Sequence, residues 1–254
     1  MIGATMEIEY INEFSWNKIF SFLKTCPGIY CTQESKCKNF MEAIFWMART
    51  GAQWRELHDR YGKWNSIFSR YNAWSKKDIW NQLLQFCVQD PDLEYIMIDA
   101  TIVRAHACAA GYGIQAEQGL GRSSGGFSTK IHAKVDALGN PLAIILTPGE
   151  RNDITQPDAL VADVYGSYVV ADNGYDSDAF RDKLLEQDCK PTIPPRSNRI
   201  NPSTYDEYIY MERHVVECFF SKIKYFRRIF SRFDKSARNY ASFIAFVGAI
   251  LWLR

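Results

Sequence analysis

Three acidic residues stand in apolar surroundings where a carboxylate is costly unless something holds it. Asp99 lies inside "IMIDAT", Asp172 follows "YVVA", and Glu217 sits among Val215, Val216, Phe219 and Phe220. An ionised carboxylate beside a hydrophobic strand needs a partner, and a metal ion is one. Folds that alternate strands and helices gather their sites at strand ends. Oxygen ligands without His or Cys suit Mg²⁺ or Mn²⁺. Two such ions, roughly 3.5–4 Å apart, serve phosphodiester cleavage by stabilising the attacking and leaving oxygens. Taken singly, either Asp could instead cap the turn that follows it, and Glu217 could belong to a surface ladder of ion pairs.

The spacing around Glu217 adds to this. Tyr210, Arg213, Glu217 and Lys224 fall three, four and seven residues apart, along one helical face. The pattern predicts one long helix over 210–239. From residue 222 to 238 it carries seven basic side chains and one acid, in a chain whose net charge is +1. A basic run of this kind, including Lys224, Arg227 and Arg228, is suited to gripping a phosphate backbone. With +1 overall, attraction to a polyanion has to come from such local patches.

Strands and helices must carry these residues. Residues 10–90 read as helical: "SWNKIFSFLK", "ESKCKNFMEAIFWMART", a short "AQWRELHDRYG", and "WNSIFSRYNAWSKKDIW". Helices joined by tight glycine turns outline a helix-turn-helix module, with Arg55 and Arg70 among its basic residues. A small helical bundle with a solvated charged face fits the same pattern. After "QDPDLEY" the periodicity changes, and a domain boundary is expected near residue 90. "YIMIDATIVRA" reads as a central strand. A glycine-rich connection containing Arg122 follows, and then a hairpin turning at Gly139-Asn140. "DITQPDALVADV" reads as a helix opened by Asp153, "SYVVADNGYD" as a buried strand, "SDAFRDKLLEQD" as a helix and "CKPTIPP" as a short strand. The expected class is mixed α/β: a helical N-terminal domain over 1–90 and a mixed sheet flanked by helices over 91–254.

Length and composition allow a sizeable core: 254 residues, 47% hydrophobic and 15% aromatic. Seven cysteines occur without a Cys-x-x-Cys pair. Cys26, Cys31 and Cys37 lack an evident fourth ligand for zinc, so thiols in a reducing cytoplasm are expected. No signal peptide is apparent, and "FIAFVGAILWL" is shorter than the roughly 20 residues that span a bilayer. It reads as a final core helix, with no membrane partner.

The motif Tyr210-x2-Arg213-x3-Glu217-x6-Lys224 resembles the Y-R-E-K signature of DDE transposases from bacterial insertion sequences. "MIDATIVRAH", "GRSSGGFSTKIHAKVDALGNPL", "GERNDITQPDAL", "VVADNGYDSDAF" and "IPPRSNR" are similar to the IS-five group of that class, from about residue 13 to the end. The resemblance implies a ribonuclease-H-like catalytic domain with Asp99, Asp172 and Glu217 as triad and metal ligands, and Mg²⁺ or Mn²⁺, two ions, as cofactor. It implies hydrolytic release of a 3′-OH at transposon ends and attack of that 3′-OH on target DNA. Implied partners are DNA and further copies of the chain, a homodimer or higher, in the synaptic complex, in a bacterial cytoplasm and on the nucleoid when bound. Tyr210, Arg213, Lys224, Arg227, Arg228, Arg122, Arg55 and Arg70 are the expected DNA contacts. Asn173 departs from the pattern, since many relatives carry a cation there. A non-catalytic DNA-binding regulator and a nuclease without strand transfer remain open alternatives at this level.

Overall fold

Hydrophobic spacing forms four helices before any strand appears. The computed structural model describes residues 10–123 and 125–254; residues 1–9 of the expected N-terminal domain lie outside the described residues. Helix α1 (Glu13–Thr25) starts at Asn12, whose side chain accepts the Ser15 N–H. Helix α2 (Glu34–Thr50) stops at Gly51, left-handed at φ 66°, whose N–H reaches the Met47 carbonyl. The stretch 52–62 forms two short 3₁₀ turns, at 54–56 and 59–61. The helix expected to run through Trp80 is two: α3 (Trp64–Lys76) and α4 (Ile79–Cys87), separated at Asp78, which is left-handed at φ 56°. The break lets Trp74 and Trp80 pack on each other and both on Phe40, with ring centroids 4.9–6.1 Å apart.

The sheet follows. Strand β1 (Tyr95–Ala105) is flanked by the antiparallel β3 (Gly126–Val135), which pairs on its other side with β2 (Gly121–Ser123) and β4 (Pro141–Pro148). The β3–β4 hairpin turns at Gly139, φ 82°, and Asp136 Oδ1 accepts the N–H groups of Leu138 and Asn140. The helix expected from Asp153 is only a 3₁₀ turn at 153–155 and one turn of α5 (Pro157–Leu160). Pro157 forces this, because the residue before a proline is disfavoured in helical conformation, and Gln156 sits at φ −124°. Strand β5 (Tyr168–Val170) lies parallel to β1, and β6 (Lys190–Thr192) parallel to β5, with α6 (Asp178–Glu186) between them in sequence. Antiparallel strands on one side of β1 and parallel strands on the other give the ribonuclease-H-like arrangement.

The long helix expected over 210–239 is not there. The chain forms α7 (Glu207–Tyr210), a 3₁₀ turn at 211–213, α8 (His214–Lys224), α9 (Arg227–Phe230), the two-residue β7 (Ser231–Arg232) against β1, and α10 (Ala237–Trp252). Internal partners for its cations explain the breaks. The Arg228 guanidinium bonds both oxygens of Asp234 at 3.0 Å and lies over Trp54 and Phe243. Arg232 is fully buried and bonds Thr129 and the Gly119, Asp234 and Lys235 carbonyls.

One core joins α1–α4 to α8, α10 and one face of β1 and β3; a smaller one fills the other face, under α5 and α6. Helix α10 runs through the larger, where Tyr71 stacks on Phe243 at 4.5 Å and donates to the Asn239 carbonyl. Among the described residues no helix is long and apolar enough to cross a membrane. Cys31 and Cys37 are joined by a disulfide, against the expectation of thiols; the other five cysteines are free.

Candidate active site

The pairing of β1 with β5 brings the first two acids together. Met97 lies opposite Val170, the last paired residue of β5, and Asp99 and Asp172 each follow two residues further along their chains, where the charge of Asp172 acts on Asp99. Side chains alternate along β1, so Asp99 shares a face with Met97, which belongs to the core on the α8 side. The chain leaves β5 at Asp172, whose Oδ1 accepts the Gly174 N–H at 2.8 Å and so caps the 3₁₀ turn at 173–175.

Helix α8 and the 3₁₀ turn before it lie against β1, and their side chains reach the strand. Arg213 Nη1 donates to Asp99 Oδ2 at 2.8 Å, and Arg213 Nη2 donates to Glu217 Oε1. Lys224 Nζ donates to Thr101 Oγ1 at 2.6 Å, two residues beyond Asp99 on the same face of β1. Tyr210 lies edge-on to Tyr205, with the Arg213 guanidinium 6.0 Å from its ring. Burial pushes the Asp99 carboxyl up to about 6; the Ala100 N–H and Arg213 pull the other way, and the charges of Asp172 and Asp153 add to the rise. Burial also lowers the Lys224 ammonium, and raises Tyr210 against the pull of Arg213. Glu217 is more open than its sequence surroundings suggest, with 54% of its side chain exposed.

Hard carboxylate oxygens at a partly buried strand end suit a divalent cation in chemistry. In arrangement, no three Asp, Glu, His or Cys among the described residues stand ready to hold one. Arg213 bonds both Asp99 and Glu217. A small divalent cation bound through one or two carboxylates plus substrate phosphates needs fewer protein ligands than that, and Asp99 with Asp172 supplies two.

The expected phosphate contacts divide. Arg55, Arg122 and Arg227 are exposed. Arg228 is buried against Trp54 and bonded to Asp234, and so leaves the set. Arg70 is half-buried, its guanidinium 4.4 Å and 4.8 Å from the Phe40 and Trp74 rings and bonded to the Tyr30 carbonyl and Cys37 Sγ. Asp153 lies closer to Asp172 than the sequence suggests. It reads in sequence as a helix cap, but Lys130 Nζ holds its Oδ1 at 2.8 Å, and its charge reaches Asp99. Arg196, from "IPPRSNR", donates to the Asn173 and Gly174 carbonyls, bringing a cation to the turn where Asn173 departs from the family pattern.

Residues 90–252 match the family described as "Transposase DDE domain". The chain belongs to the DDE-domain transposases. Residues 11–84 match a second family, "Putative transposase of IS4/5 family". A putative transposase for insertion sequence element IS6501 from Brucella ovis is 39% identical over 130 residues, covering 50% of this chain and 99% of that protein. A putative transposase for element IS402 from Burkholderia cepacia is 32% identical, covering 46% of this chain and 58% of that one. Among solved structures, a piggyBac transposase synaptic complex with hairpin DNA is similar with TM-score 0.42 at 14% identity, over 75% of this chain. This transposase chain spans about half the length of that piggyBac chain.

Proposed function

We propose that this transposase binds insertion-sequence ends, cleaves them by metal-dependent phosphodiester hydrolysis, and joins the released 3′-OH to target DNA. The observation that supports the reading is Arg213, which bonds both Asp99 and Glu217 at the end of β1, where the charge of Asp172 also acts on Asp99. Asp99, Asp172 and Glu217 would hold Mg²⁺ or Mn²⁺, two ions, which when bound stabilise charge on the attacking and leaving oxygens. Glu217 reaches that role by exchanging its bond to Arg213 for one to the cation. Arg213, once released, and Lys224 meet the phosphates on either side of the scissile bond. Tyr210 packs at the edge of the same surface and orients the cleaved end. Arg227, Arg55 and Arg122 extend the contact along the duplex. Two ends must be held together for joining, so a homodimer or larger assembly acts on DNA, in the cytoplasm.

The test is incubation of the full chain with DNA carrying the ends of its own element, with and without Mg²⁺, mapping nicks. Pre-cut ends then assay joining. Asp99→Asn, Asp172→Asn and Glu217→Gln should each abolish nicking and retain DNA binding. Nicking at the wild-type rate by any of them would overturn the triad. Nicking without joining of pre-cut ends would leave a nuclease.

A further inference from the structure

A groove of about 690 Å³ opens between α2, the tip of the β3–β4 hairpin, the end of α8 and the end of α10. None of Asp99, Asp172 and Glu217 lines it. Lys222 does, and it stands five residues after Glu217, about 140° around the helix. The groove is therefore a separate place from the carboxylates. Its volume falls in the roughly 300–1,000 Å³ range of ligand sites.

The floor is aromatic. Phe45 stacks on Tyr10 with ring centroids 5.0 Å apart and meets Phe226 edge-on at 5.5 Å; both phenylalanines are buried. Tyr225 stands at the rim, 73% exposed, and takes no part in the core. The Arg49 guanidinium lies over its ring at 5.2 Å, and Arg49 Nη1 donates to its carbonyl at 3.1 Å. A large ring is thus held in water by a cation.

The charge is of one sign. Arg49, Lys222 and Arg254 line the groove, all three exposed, and no acidic side chain among the described residues does. Like charges gathered in this way repel one another until an anion joins them. A DNA duplex offers phosphates but keeps the faces of its bases covered, whereas an unpaired strand offers both. Cations alone would serve a duplex. Cations interleaved with an exposed ring fit an unpaired strand.

We propose that this groove holds a short unpaired stretch of DNA, with a base stacked on Tyr225 and phosphates on Lys222, Arg49 and Arg254. This goes beyond the proposed function, since the strand lies away from the carboxylates and its binding needs no metal.

The test is fluorescence anisotropy of a labelled oligothymidylate with the full chain in EDTA, over a salt series, beside a labelled duplex of equal length. Tyr225→Ala should weaken oligothymidylate binding by about fivefold or more, as the loss of one base stack does, and should affect the duplex less. Tyr225→Phe keeps the ring and should bind as the wild type does. Lys222→Ala should weaken binding and flatten the salt dependence by about 0.7 in slope. Phe230→Ala removes an exposed ring outside the groove and should change nothing. Thermal melts identify any variant that fails to fold; should Tyr225→Ala be one, the salt slope of Lys222→Ala decides. No oligothymidylate binding by the wild type, wild-type affinity in the folded variants, or equal losses for strand and duplex would each overturn the proposal. So would displacement of the oligomer by thymidine monophosphate at equal concentration, which would make the groove a mononucleotide site. Nicking and joining are read separately with Mg²⁺, so these outcomes leave the proposed function standing, and absence of nicking leaves this proposal standing.

Discussion

Arg213 Nη1 lies 2.8 Å from Asp99 Oδ2, and the other arm of the same guanidinium holds Glu217. A cation that comes from the protein itself therefore stands between two of the three acids. It neutralises a carboxylate that burial has made costly.

A variant separates this neutralising role from a purely structural one. Arg213→Gln should destabilise the metal-free protein by about 1–3 kcal/mol, because a buried acceptor loses its charged donor. Saturating Mn²⁺ should narrow that deficit, since the ion takes the place of the guanidinium. Urea melts with and without Mn²⁺ measure both; an equal deficit in the two would refute the exchange.

The basic residues of 222–238 should behave as two classes. Lys224→Ala and Arg227→Ala should weaken DNA binding and flatten its salt dependence by about one ion each. Arg228→Ala should leave the salt slope alone and cost about 3–5 kcal/mol of stability, the range for stranding one partner of a buried pair. DNA affinity across a salt series, with chemical denaturation, distinguishes them.

His132 gives the fold an acid-sensitive component. It is fully buried, its Nε2 lies 2.8 Å from Thr147 Oγ1, and burial lowers it to about 4 from an ordinary 6.5. The folded state keeps it neutral, so between pH 6.5 and 4 the unfolded chain binds more protons. Its contribution is complete above about 6.5 and is lost on acidification through that window, by on the order of 2–3 kcal/mol. His132→Gln should flatten this part of the stability–pH curve; an unchanged curve would exclude His132 as its source.

Gly51 should tolerate no side chain. It is left-handed, and an added Cβ would meet the Arg227 Cβ at 3.0 Å. Gly51→Ala should cost about 1–2 kcal/mol from backbone conformation alone, and the shift of α9 it demands should show as a lowered melting temperature. Unaltered melting would mean α9 has room to move.

Local pattern carried much of this protein. Period-two alternation gave the β3–β4 hairpin, and apolar spacing gave the first two helices. Pattern failed where distant partners rule. Residues 210–239 carry a helical spacing, yet Asp234, Trp54 and the Gly119 carbonyl draw Arg228 and Arg232 inward and break the helix. Pro157 was visible in "DITQPDAL", but a short helix tolerates proline only in its first turn, and the spacing did not say which turn that was. Residue types along a chain report local preference and hydrophobic periodicity. Which cation meets which acid, and that Asp153 borders the same space as Asp172, depends on strands and turns far apart in sequence packing side by side, and only the folded chain decides that.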